Sequence, residues 1–232
     1  MRASAIALVA ALAMVAAGPA SARPWTDPAG RVTFNLPAGW SQESHPCEDC
    51  TSLDAFNPSR DCYIFAKPRP ADPQHTIQPA HVRSIMRDDT KITNDIWTSN
   101  ANDFQMVFAN NSATFVSRSL LDSNDTRFWP IQRAEFTNGD GKHVFGALQM
   151  RPNMELWAFC VAAGSGADDA GNYDAVLNSI GTPQDAQLQT DVTTAEAAAA
   201  AAAAQAAAHP QPPPQQQQQG HRNTHGDHAE DH

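Results

Sequence analysis

The sequence predicts an α+β domain, an antiparallel sheet with helices packed on it. Three observations carry this. Short apolar runs alternate with polar residues at a period of two. The later runs are joined by connections as short as hairpins need, which implies antiparallel pairing. Two segments carry helical spacing, and helices on such a sheet give this class. All 5 Trp, 10 Phe and 2 Tyr fall between Trp25 and Tyr173, so one core is expected.

Arg31 to Leu36 places Val32, Phe34 and Leu36 on one face, and Pro37-Ala38-Gly39-Trp40 then stops the strand. Residues 41–60 are polar and hold Pro46 and Pro58, so they read as a loop stapled by cysteines. Cys62 to Lys67 is a second strand, ended by Pro68 and Pro70. A helix is expected from Pro79, which suits a first helical position, with Val82, Ile85 and Met86 as its apolar stripe. Over residues 90–112, Ile92, Ile96, Trp97 and Phe104 suit a second helix, and Met106 to Phe108 the start of a strand. Phe115 to Leu121 and Phe128 to Phe136 read as strands, Pro130 marking an edge or bulge. Asn138-Gly139-Asp140-Gly141 is a turn leading to a return strand, Val144 to Met150. Arg151-Pro152-Asn153 turns the chain into Leu156 to Ala162. A last helix, capped by Asp168 or Asp169, presents Tyr173, Val176, Leu177 and Ile180 at i, i+3, i+4 and i+7; Gly181 and Pro183 end it.

Both termini lie outside this domain, which spans residues 23–183. Met1-Arg2, the apolar stretch Ala3 to Ala17, and Ala20-Ser21-Ala22 have the layout of a signal peptide over 1–22. The stretch is shorter than the ~20 residues that span a bilayer, and Pro19 breaks it. A periplasmic or secreted protein is expected, with no membrane insertion after cleavage. Residues 184–232 form an Ala-, Pro-, Gln- and His-rich tail. Its expected disorder is relieved by an Ala helix over 194–208 behind the capping box Thr193-Thr194-Ala195-Glu196.

The chain carries 15 Lys+Arg against 25 Asp+Glu, a formal net charge of −10. No basic cluster neutralises a run of phosphates, so nucleic-acid binding is disfavoured. Four cysteines, Cys47, Cys50, Cys62 and Cys160, suggest two disulfides in an oxidising compartment. Three connectivities are open, and in each one bridge ties Cys160 to the beginning of the domain. Cys47-Glu48-Asp49-Cys50 also has redox spacing, but no helical pattern follows it to lower a thiol pKa.

The stretch Asp27-Pro28-Ala29-Gly30-Arg31-Val32-Thr33-Phe34-Asn35-Leu36-Pro37-Ala38-Gly39-Trp40 resembles the opening strand of the PsbP/Mog1-like α/β/α sandwich domains, which end that strand in Pro-x-Gly-Trp. The meander and helix from Phe128 to Ile180 fit the same group, while the four cysteines depart from it. The resemblance implies binding or assembly roles and brings no shared catalytic residues.

The residues themselves show no nucleophile elbow, zinc-protease helix or phosphate loop. His45, His75, His81 and His143 sit in no motif, and Asp88-Asp89 reads as a solvated helix end. Asp122 to Asp125 and Asn138 to Gly141 look like calcium-loop fragments but lack a Glu at the twelfth position, so they read as turns. The five Trp are expected in the core, with Trp25 and Trp129 as the exposed candidates. The leading expectation is an exported, soluble, non-enzymatic binding or assembly module for an unknown protein or small ligand, holding no cofactor. One alternative is divalent-metal binding (Zn, Cu or Ni) through His221, His225, His228 and His232, beside Asp227, Glu230 and Asp231. A second is an unrecognised hydrolase, which needs a buried histidine beside a Ser or Cys and a carboxylate.

Overall fold

A computed structural model describes residues 22–69, 77–88, 90–120, 127–164 and 170–208. The proposed signal peptide (Ala22 apart), His75, Asp89, Asp122, Asp125, the caps Asp168 and Asp169, and the four tail histidines lie outside the described residues. The chain divides into two units, 1–189 and 190–232.

The first unit is built on a seven-stranded antiparallel sheet in the order β3-β4-β5-β9-β8-β7-β6. Its strands are β3 (Ser41–His45), β4 (Thr51–Asn57), β5 (Arg60–Pro68), β6 (Thr114–Leu120), β7 (Gln132–Thr137), β8 (His143–Arg151) and β9 (Met154–Val161). A separate hairpin pairs β1 (Arg23–Thr26) with β2 (Thr33–Leu36). The helices are α1 (Pro79–Arg87), α2 (Asn94–Asp103) and α3 (Asp174–Leu177).

The sheet is apolar on both faces. Along β9, Leu156, Ala158 and Cys160 join a cluster with Val32, Phe34 and Leu36 in and just before β2 and with Tyr173, Val176, Leu177 and Ile180 around α3. Trp157 and Phe159 point the other way, into a cluster with Val82 and Met86 of α1 and Trp97 and Ala101 of α2. Alternation along one strand therefore feeds two cores, and the fold is an α+β sandwich with elements on both sides. Trp97 is fully buried, and its ring meets Trp157 edge-on at 5.2 Å. The Pro-x-Gly-Trp turn after β2 depends on Gly39, whose φ of 77° disfavours a side chain.

Several expectations are corrected. Residues 41–60 form β3 and β4, with the turn between them closed by Cys47–Cys50. In β4, Leu53 and Ala55 are fully buried beside β5, while β3 lies at the sheet edge with four of its five residues exposed and so shows no apolar period. Met106 to Phe108 do not begin a strand; the chain turns there into a short 3₁₀ helix, Ala109–Asn111. Phe128 to Ile131 are not strand either, and β7 starts only at Gln132. Trp129 is buried, with the Arg151 guanidinium 4.7 Å over its ring, whereas Trp25 is half-buried against Phe34. Finally, α4 (Asp185–Ala208) begins at Asp185. The Thr193 box therefore lies inside the helix, where the Thr193 and Thr194 hydroxyls donate back to the Thr190 carbonyl.

Two further links close the first unit. Cys62 and Cys160 stand directly opposite each other on β5 and β9 and form the second disulfide. Arg151, at the end of β8 and only 1% exposed, donates from Nε and Nη2 to the two carboxylate oxygens of Asp185 at 2.6 and 2.5 Å. Burial alone would raise the Asp185 pKa, but Arg151 together with the Thr182 N–H and hydroxyl holds it below the ordinary carboxylate value.

Candidate functional site

At the β3–β4–β5 end, β4 sends Leu53 and Ala55 into the core and so turns Ser52, Asp54 and Phe56 to the opposite face. A groove of about 1070 Å³ opens there. Asp54, Phe56 and Asp61 line it from the sheet, with Met106 from the segment after α2, Asn138 from the β7–β8 turn, and Val161 at the end of β9. Met106 is 69% exposed, an unusual setting for a large apolar side chain.

The sheet side of the groove is fixed by a chain of side-chain contacts. His45 Nε2 lies 2.8 Å from Asp54 Oδ2, and its ring stacks on Tyr63 at a centroid distance of 5.9 Å. The Tyr63 hydroxyl and Ser52 Oγ are 2.7 Å apart. The second oxygen, Asp54 Oδ1, is buried with no hydrogen-bond partner among the described residues. Asp61 is pushed above the ordinary carboxylate pKa, first by burial and then by the charge of Asp54. The walls thus combine fixed hydrogen-bonding groups with apolar surface, a mixture suited to binding.

For chemistry the arrangement offers less. His45 pairs with Asp54, and His143 Nε2 lies 3.2 Å from Glu135 Oε2. Among the described residues, neither histidine hydrogen-bonds a serine or threonine hydroxyl or a thiol. His81 is exposed on α1. Asn138 to Gly141 form a turn in which Asn138 Oδ1 accepts from the backbone N–H of Asp140 and Lys142. The described residues contain no group of three or more His, Cys, Asp or Glu side chains able to hold a metal ion. No described helix is long and apolar enough to cross a membrane. All four cysteines are in disulfides, so no free thiol supports the redox reading of Cys47 and Cys50.

A second, smaller cavity of about 460 Å³ lies at the β6–β7 end, lined by Arg127, Arg133, Asp174 and Asn178 together with Ser117 and Ser119. Sequence reasoning singled out none of these residues, nor Asp54 and Asp61. The one available signal was the alternation of β7, where Arg133 and Glu135 interleave with Ala134 and Phe136.

No protein-family profile matches the chain, and no curated protein sequence does. Among solved structures it resembles the solution structure of cyanobacterial PsbP from Synechocystis sp. PCC 6803. That match has 13% identity and a TM-score of 0.45, over 72% of this chain and 95% of that one. A crystal structure from Bacteroides thetaiotaomicron VPI-5482 matches at 14% identity and a TM-score of 0.37, over 70% of this chain and 48% of that one.

Proposed function

We propose that the protein is an exported, non-enzymatic binding module, and that the groove at the β3–β5 end receives a polypeptide segment of a partner. One observation carries this: an open groove of about 1070 Å³ runs over the strand face beside Met106, a large apolar side chain left 69% exposed. Its floor stands on paired strands, so little ordering is needed on binding. Met106 and Phe56 supply apolar contact, and Asn138 and Asp61 supply polar contact. Export is supported by the signal-peptide layout and by two disulfides, which persist in oxidising compartments.

A peptide library displayed on phage and panned against the mature chain tests the reading. Enriched peptides should lose about tenfold or more in affinity for Met106→Asp, since that change buries a charge against apolar contact. Peptides that bind the variant as tightly as the wild type, or no enrichment at all, overturn it.

A second reading keeps a divalent-metal role for the tail. It rests on His221, His225, His228 and His232, a ligand set that the folded core does not duplicate among its described residues. Calorimetric titration of Zn²⁺, Cu²⁺ and Ni²⁺ into the full chain and into one ending at Ala208 tests it. Micromolar binding lost with the tail supports it, and equal heats retire it.

A further inference from the structure

We propose that the cavity between the β6–β7 edge and α3 is a binding site for a small oxyanion, a molecule bearing a phosphate or carboxylate group. The site is independent of the groove.

It is built from the sheet outward. Ser117 pairs with Glu135 and Ser119 with Arg133 across β6 and β7, so these four side chains share the face on which α3 packs. Arg133 is held firmly there, its side chain only 11% exposed. Its Nη1 donates to Asn178 Oδ1 at 2.7 Å and lies 3.4 Å from Asp174 Oδ1. From the segment before β7, Arg127 Nη1 donates to the Asn178 backbone carbonyl at 2.9 Å. One residue, the C-cap of α3, therefore braces both guanidinium groups, one through its side chain and one through its backbone. The Arg127 backbone is fixed in turn, since Arg87 Nη2 donates to its carbonyl at 2.8 Å.

Two cations placed together on a chain of net charge −10 call for a physical reason. The Arg133 guanidinium is pushed below its ordinary pKa, chiefly by burial and further by the charge of Arg127, and is only partly compensated by Asp174 and Glu135. An oxyanion in the cavity relieves both the desolvation and the repulsion. Guanidinium forks match carboxylate and phosphate oxygens, and the Ser117 and Ser119 hydroxyls add donors on the floor. The cavity, about 460 Å³, falls within the size range of small-ligand sites. Two carboxylates oppose the anion: Asp174, whose side chain is 49% exposed, and Glu135, which is drawn toward His143. Asp174 thus gives the site a substitution of opposite sign.

The test is calorimetric titration of inorganic phosphate and of citrate into the full chain at constant ionic strength, with chloride as the control. Saturable binding of either is expected, and the stronger of the two assigns the headgroup. Arg127→Gln should weaken it about tenfold by removing a charge-assisted donor, and Asp174→Asn should tighten it severalfold by removing a like charge. Arg127 is chosen over Arg133, whose side chain is 11% exposed and bonded to Asn178 and Asp174, and near-UV circular dichroism confirms that both variants keep the fold. No saturable binding of either anion, or affinities unchanged in both variants, overturns the proposal.

Discussion

The two disulfides sit at two places on one sheet, and they hold different things. Cys62–Cys160 joins β5 to β9 at the centre, where both residues are fully buried and 98 positions apart in sequence. Cys47–Cys50 closes the turn between β3 and β4 at the edge, where both are half exposed and 3 positions apart. The first ties together distant parts of the chain on which both cores depend. The second constrains one turn. Identical chemistry therefore has unequal weight, because the entropy removed from the unfolded chain grows with the loop that the bridge closes.

Replacing Cys62 and Cys160 together by Ala should have the largest effect. The chain-entropy model gives about 4–5 kcal/mol for a loop of this length. Guanidinium unfolding without reductant should show a midpoint far below wild type; a small change would mean that sheet pairing alone holds β5 to β9.

Asp185→Ala, at the end of β8 that Arg151 occupies, comes next. It leaves a buried guanidinium without its carboxylate partner, a loss of about 3 kcal/mol or more. The folded pKa of Asp185 is depressed, so the pair contributes fully above the ordinary carboxylate pKa and is lost as pH falls through the folded value. The stabilities of wild type and variant should therefore start to approach each other only as pH falls below about 4.

Replacing Cys47 and Cys50 by Ser should cost about 2 kcal/mol in the same chain-entropy model and leave the central transition cooperative. A loss as large as that at the centre would abolish the distinction drawn here. The smallest change, and one of opposite sign, falls at Asp61, beside Cys62 on β5. The raised folded pKa of Asp61 makes its charge unfavourable at neutral pH, and because the residue is exposed, solvent screens most of the effect, so Asp61→Asn should stabilise only slightly. That gain should vanish on acidification below the pKa of an unfolded aspartate, which a pH series of denaturant midpoints will show.

The same contrast explains what the sequence disclosed. The centre was legible because its residues are sorted by solvent. Val32, Phe34 and Leu36 alternate, and Tyr173, Val176, Leu177 and Ile180 keep helical spacing, each set facing one core. The edge was not, because β3 leaves four of its five residues in solvent and gives no period to detect. Its partner β4 hid behind small Ala55 and polar Ser52 and Asp54, although Leu53 and Ala55 are as buried as any residue in the chain. The start of α4 was obscured for a different reason: the alanine run draws attention to residues 195–208, while a single carboxylate, Asp185, anchors its first turn. The arginine cavity was invisible for a third reason. Its members come from positions 117–119, 127, 133, 174 and 178, and only strand order and the packing of α3 bring them together.

That strand order also bears on how the chain reaches its fold. The neighbour of β5 on the inner side of the sheet is β9, the last strand to be synthesised, while β6, β7 and β8 lie beyond it. As the polypeptide grows, β3, β4 and β5 can form only a half-sheet whose inner edge is open, and Cys62 has no native partner until Cys160 emerges. Completion then requires contacts across much of the chain, the kind that slow folding most. During that interval β5 presents an unpaired apolar edge, and Cys62 can react with Cys47 or Cys50. Maturation of this protein is thus a problem of timing, decided by whether the final strand arrives before the open edge or the waiting thiol finds another partner.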